Sequence, residues 1–133
     1  MAGIAPFRIL IVEDEGIIAN DIACRLLSAG YEVTGIAVSS EEVLSTLRDS
    51  RPDLILMDIR IEGAMDGIQT AAKIRETFDI PIIYLSAHTD RETMGRIGAG
   101  GGPILTKPFS SAELVTAIKG TLQRIAPEIG LNV

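Results

Sequence analysis

Short runs of aliphatic and β-branched residues recur at Phe7–Val12, Glu32–Val38, Leu54–Met57, Ile80–Leu85 and Ile104–Thr106. Stretches of helical period fill the gaps between them. Ile18, Ile22 and Leu26 stand four residues apart, and Ala29-Gly30 is a stop signal. Ser39 or Ser40 can cap a second helix, with Glu41 and Glu42 in its first turn where the helix dipole favours anions, and Pro52 lies beyond its end. Asp66 opens a third over Ile68, Ala71, Ala72, Ile74 and Phe78, closed by Pro81. Thr89 or Asp90 starts a fourth. Ser110 or Ser111 starts a fifth, whose apolar face carries Leu114, Val115, Ile118 and Leu122. The first and third strand runs are almost continuously apolar, as strands covered on both faces are. This alternation predicts a doubly wound five-stranded parallel α/β domain.

Length leaves space for one such domain: 133 residues hold five strand-helix units and no second core. We expect a tail over 1–6, the domain over 7–126, and a frayed tail or linker stub over 127–133. Trp is absent and aromatics are 4%, so the interior is expected to be aliphatic. A net charge of −6 argues against direct nucleic-acid contact, which needs a basic patch. No apolar run is long enough to span a membrane, residues 1–6 do not read as a signal peptide, and the single cysteine, Cys24, cannot form an intrachain disulfide. These features suit a cytoplasmic setting. Cys24 itself falls in a helical pattern and reads as a small packed hydrophobe.

Chemistry enters at the strand ends, because sheets of this kind bind ligands outside the carboxyl edge. The first strand ends in Glu13-Asp14-Glu15, the third in Asp58, the fourth in Ser86-Ala87-His88 and the fifth in Thr106-Lys107-Pro108. Any one acid here, taken alone, reads more readily as a helix cap or a solvated loop residue, and Glu15 reads as a first-turn residue of the first helix. Four strand ends supplying complementary groups do not. Two like charges about 4 Å apart repel by roughly 4 kcal/mol at an effective dielectric of 20, so Glu13, Asp14 and Asp58 need a cation between them. Lys107 supplies one charge, and Mg²⁺ (or Mn²⁺ in its place) suits the oxygen donors. The set reads as phosphoryl transfer to Asp58, with charge offset by the metal and Lys107 and a hydrogen bond from Ser86.

Segments 9–15 (ILIVEDE), 52–59 (PDLILMDI), 65–67 (MDG), 81–87 (PIIYLSA) and 106–109 (TKPF) together resemble the receiver domain of two-component response regulators, from about Arg8 to Arg124. That resemblance implies a flavodoxin-like (βα)5 fold. It implies phosphorylation of Asp58 from the phosphohistidine of a sensor histidine kinase or phosphotransfer protein. It also implies metal ligation by Asp14, Asp58 and the backbone carbonyl of Arg60, with Glu13 acting partly through water. Ser86 would be the switch hydroxyl and Lys107 the family lysine, joined to Pro108 by a cis bond. Arg60 and His88 fall at positions that tune attack of water on the acyl phosphate. Ile17 and Ile18 fall on the helix that docks the kinase, and at least one of them should lie off its buried stripe.

Three departures from the family pattern stand out. The loop 59–67 is one residue longer than usual and lacks a proline. Ile104 occupies a switch position usually held by Tyr, Phe or His. The run Gly98–Gly102 should shorten the fourth helix or make it pliable, and leaves dimerisation on that face an open expectation. Other classes fit less well. A nucleotide or flavin module would need a Gly-rich loop after the first strand, where three acids stand. A haloacid-dehalogenase-type phosphatase would need Asp where Arg60 stands. A degenerate receiver that acts only as a protein-interaction module is the alternative, although its acidic pocket would normally have eroded. The output, an effector domain or a target protein, is not encoded in these motifs.

Overall fold

The computed structural model describes residues 6–87, 90–98 and 102–125. The chain alternates β1 (Arg8–Val12), α1 (Gly16–Ser28), β2 (Glu32–Ala37), α2 (Ser40–Asp49), β3 (Leu54–Asp58), α3 (Gly67–Thr77), β4 (Ile82–Ser86), α4 (Arg91–Ile97), β5 (Ile104–Thr106) and α5 (Ser111–Ile125). All pairings are parallel, and the strand order is β2-β1-β3-β4-β5. The order reverses between β1 and β3, so those two strands deliver Glu13, Asp14 and Asp58 to the switch point.

Covering both faces of β1 and β3 explains their unbroken apolar sequence. Ile9 and Ile11 face α1 and α5, packing with Ile22, Leu26, Leu56, Leu114 and Ile118. Leu10 and Val12 face the opposite layer, with Val43, Leu47, Met57, Ala71, Ile74 and Ile97. Each fully buried aliphatic side chain contributes roughly 2 kcal/mol from area removed from water, so the sheet is a stiff base for its rim. Helix starts follow local chemistry. Ser39 accepts from the Glu42 N–H at 3.2 Å, Asp66 and Gln69 form a reciprocal capping box, and Asp90 accepts from the Thr93 N–H at 2.8 Å. At the end of α1, Gly30 takes a φ of +94°.

Some expectations are corrected. Cys24 is exposed, because the buried stripe of α1 runs through Ala19, Ile22 and Leu26, and Cys24 lies about 200° around the helix from Ile22. Glu15 sits at the N-cap of α1, outside its first turn, and its side chain makes no cap bond. Ile18, expected on the stripe, is only half-buried, and Ala19 takes the deeper place. Strand edges shift by one or two residues, with β4 starting at Ile82 because Ile80 and Pro81 precede the pairing with β3. The expected terminal tails fall almost wholly outside the described residues.

Candidate functional site

The end of β1 turns sharply under its own hydrogen bonds. The Glu13 N–H donates to the Ala37 carbonyl at 2.9 Å, and the Glu15 N–H donates to Glu13 Oε2 at 3.2 Å. This buries the Glu13 side chain completely and leaves Asp14 half-buried at the rim. Asp58 ends β3 at 6% exposure, with Oδ1 accepting from the Arg60 N–H at 3.0 Å. Ser86 ends β4, and its carbonyl accepts from the Lys107 N–H at 2.8 Å, which ties the β5 end to the site. The Lys107-Pro108 bond is cis, as the resemblance implied.

Lys107 Nζ lies between two acids, 2.9 Å from Glu13 Oε1 and 2.8 Å from Asp58 Oδ2. Burial works against its ammonium, but hydrogen bonds to Asp58 and Glu13 outweigh that and raise its pKa. Burial also pushes the Glu13 carboxyl up to about 7, helped by its neighbour Asp58 and opposed by Lys107. Lys107 alone therefore does not hold Glu13 fully ionised near pH 7. Glu13, Asp14 and Asp58 each offer an oxygen within 4.8 Å of the others. An octahedral ion with bonds of 2.0–2.1 Å places neighbouring ligands about 2.9 Å apart and opposite ligands about 4.1 Å apart. The trio thus fits a small divalent ion after modest closing, and its all-oxygen character suits a hard cation.

The Glu13 shift has a measurable consequence. Because the folded state keeps this proton to a higher pH than the unfolded chain, this carboxyl's contribution to stability is complete below the unfolded value of 4.5 and is lost as pH rises through about 7. In chelator, the melting temperature is expected to fall between about pH 5 and about pH 8, and Glu13→Gln should flatten that slope. A wild-type slope unchanged by this substitution would refute the attribution to Glu13.

The remaining positions separate. Arg60 is exposed and Ile17 is 89% exposed, whereas Ile18 packs against the α1–α5 core layer. His88 lies outside the described residues, as does the middle of the Gly98–Gly102 run. On either side of that gap, α4 stops at Ile97, Gly98 has a φ of +73° and Gly102 one of +99°. Ile104 pairs with Tyr84 and packs, half-buried, on the α2–α4 layer. The aromatic residue paired with Ile104 across β4 and β5 is Tyr84, fully buried, whose hydroxyl accepts from Arg75 Nη2 at 2.9 Å.

Sequence reasoning missed a second group, around the loop 59–66. Gly67 is packed so closely that a Cβ there would lie 2.8 Å from Ile59 Cα and nearer still to the Asp58 carbonyl oxygen. Farther along the loop, Glu41 accepts from the Ala64 N–H at 3.2 Å, and Asp66 pairs with Arg96 of α4. Gly63, in a loop already noted as long, and Gly67 of the 65–67 segment were the sequence signals of tight contacts there.

An acid trio, two of whose members share one lysine, at the switch point of a five-stranded parallel sheet, defines a flavodoxin-like domain with a metal-competent rim. The family model described as the response regulator receiver domain matches residues 9–119, and the chain belongs to that family. It is 37% identical over 120 residues to the transcriptional regulatory protein PdtaR of Mycobacterium tuberculosis, covering 90% of this chain and 58% of that protein. It is 40% identical over 124 residues to the phosphate regulon transcriptional regulatory protein PhoB of Pseudomonas aeruginosa, covering 90% and 53%. The chain thus spans about half the length of these curated relatives. Among solved structures, the signal receiver domain of a modulated diguanylate cyclase from Desulfovibrio desulfuricans G20 superimposes with a TM-score of 0.83 at 33% identity, covering 90% of this chain and 95% of that one. Among the described residues, no helix is long and apolar enough to cross a membrane.

Proposed function

We propose that this receiver domain accepts a phosphoryl group on Asp58 from the phosphohistidine of a sensor histidine kinase or phosphotransfer protein, in the cytoplasm. The observation that carries this reading is the placement of Asp58, with one carboxylate oxygen on Lys107 Nζ at 2.8 Å and the other on the Arg60 N–H at 3.0 Å, inside the acid trio. A carboxylate oxygen attacks phosphorus, the phosphorus–nitrogen bond breaks, and the imidazole leaves and regains a proton from solvent. Glu13, Asp14, Asp58 and the Arg60 carbonyl would hold Mg²⁺ or Mn²⁺, which supplies charge neutralisation to the phosphoryl oxygens. Lys107 supplies a further positive charge there, and the Ser86 hydroxyl donates to a phosphoryl oxygen. Hydrolysis of the acyl phosphate resets the domain, with Arg60, which is exposed, and His88 as tuning residues.

Ile17 is the better kinase contact, since Ile18 is spent on packing. The output passes to an effector domain or target protein, with dimerisation as one route. Ile104 has no polar atom to follow Ser86, so the response runs without a hydroxyl-aromatic exchange at that position.

The test is intact mass. With phosphoramidate and Mg²⁺ the protein should gain one phosphoryl group, and chelation of the metal should prevent the gain. Failure to label with metal present, or equal labelling in chelator, would refute the reading. The degenerate-receiver alternative predicts the first of those outcomes.

A further inference from the structure

The loop between β3 and α3 has to present the Arg60 carbonyl at a fixed place, yet as a loop it gains no order from a helix or strand of its own. It is ordered by tethers. At its start, the Arg60 N–H is held on Asp58 Oδ1, and the Gly67 N–H returns to the Ile59 carbonyl at 2.7 Å. In its middle, Glu62 forms a parallel bridge with Ser39, its N–H donating to the Val38 carbonyl at 3.3 Å and its carbonyl accepting from the Ser40 N–H at 3.2 Å. Just beyond, the Glu41 carboxylate takes the Ala64 N–H on Oε2 at 3.2 Å and the Ser40 hydroxyl on Oε1 at 3.0 Å. Gly63 adopts a φ of +107° so that the backbone can lie against this pair, where an added Cβ would be 3.1 Å from the Ser40 nitrogen. Ser40 is itself fully buried.

We propose that Glu41, seated on Ser40 at the start of α2, is a positioning residue that fixes this loop and thereby the Arg60 carbonyl at the metal and phosphoryl site. The inference rests on the phosphoacceptor reading above. It also accounts for Glu41 standing outside the metal trio: both of its oxygens are committed to the loop and to Ser40. Ala64 and Glu62 lie only a few residues from Arg60, so release of the tether frees the carbonyl to drift. Metal sites tolerate ligand displacements of only about 0.2 Å, so small drifts weaken binding.

The experiment measures Mg²⁺ affinity by isothermal titration calorimetry and the melting temperature in chelator for wild type, Glu41→Ala and Glu41→Gln. Glu41→Ala should bind Mg²⁺ about tenfold more weakly, at the low end for outer-shell partners. Its metal-free melting temperature should stay close to that of wild type, because the side chain is exposed and covers no core. Glu41→Gln should recover most of the affinity, since its amide oxygen still accepts from the Ala64 N–H. Unchanged Mg²⁺ affinity in Glu41→Ala would overturn the proposal, as would a Gln variant as weak as Ala, or a weakening matched by an equal loss of metal-free stability. Wild-type protein that did not bind Mg²⁺ would overturn the underlying metal reading and this proposal together. A wild type that binds beside an unaffected Ala variant would overturn this one alone.

Discussion

Asp58→Asn is expected to take up no phosphoryl group under conditions that label the wild type fully, a loss of at least about 100-fold in initial rate, because an amide oxygen is a poor nucleophile and forms no acyl phosphate. The substitution is nearly isosteric, which makes the result interpretable. One of the two present contacts, the Arg60 N–H at 3.0 Å or Lys107 Nζ at 2.8 Å, can still be accepted by the amide oxygen. The other then faces the amide NH₂, a loss worth about 1 kcal/mol. Against that, removing the Asp58 charge relieves Glu13, whose carboxyl is raised in part by this neighbour, and leaves Lys107 paired to Glu13 at 2.9 Å. The variant should therefore fold, and intact mass after phosphoramidate treatment isolates the chemistry. Phosphoryl incorporation at the wild-type level would move the acceptor to another residue.

The second large effect is on stability. Gly67→Ala is expected to lower the unfolding free energy by about 3 kcal/mol, read as a shift of the urea midpoint. Ordinary helix propensity predicts the opposite sign, since Ala exceeds Gly by about 1 kcal/mol inside helices. Gly67 does not adopt a positive φ, so backbone freedom is not the reason for glycine. Close approach is the reason. A methyl would be driven into the Asp58 carbonyl and the Ile59 backbone, neither of which can swing aside without moving the loop that follows the acceptor. Gly120 of α5 is the control, because a Cβ there meets nothing within 4 Å and its Ala variant should gain stability. Equal midpoints for Gly67→Ala and wild type would show that the α3 start can shift away from β3.

These two substitutions mark different degrees of legibility in the sequence. Asp58 was readable because an acid ending an apolar strand is conspicuous, and because three other strand ends carried partners for it. The order of elements was readable for the same reason, as buried parallel strands leave continuous apolar runs between amphipathic helices. Helix starts at Ser39 or Ser40, at Asp66, at Thr89 or Asp90 and at Ser110 or Ser111 were readable to within one residue because capping is local chemistry within a few residues. Cys24 was misplaced because a weakly amphipathic helix carries apolar residues on more than one face, and only contact with the sheet selects which face is buried.

The loop 59–66 shows the other limit. Its sequence displayed unusual length and a glycine, but not that α2 would hold it, because the distance from Glu41 to Ala64 is a product of the β2-β1-β3 order. Likewise the pairing of Tyr84 with Arg75, beside an aliphatic Ile104, depends on register across β4 and β5 and on the packing of α3. What the sequence by itself determined about this protein is the strand-helix alternation, the caps and the kinds of group at the carboxyl rim, all set by neighbours in the chain. Tertiary structure alone decided that Lys107 would sit within 3 Å of both Glu13 and Asp58, that Gly67 would press on the Asp58 carbonyl, and that Glu41 would tether the loop. Each of these joins residues far apart in the chain or across a turn, and such distances are fixed only when the sheet order and both core layers are in place.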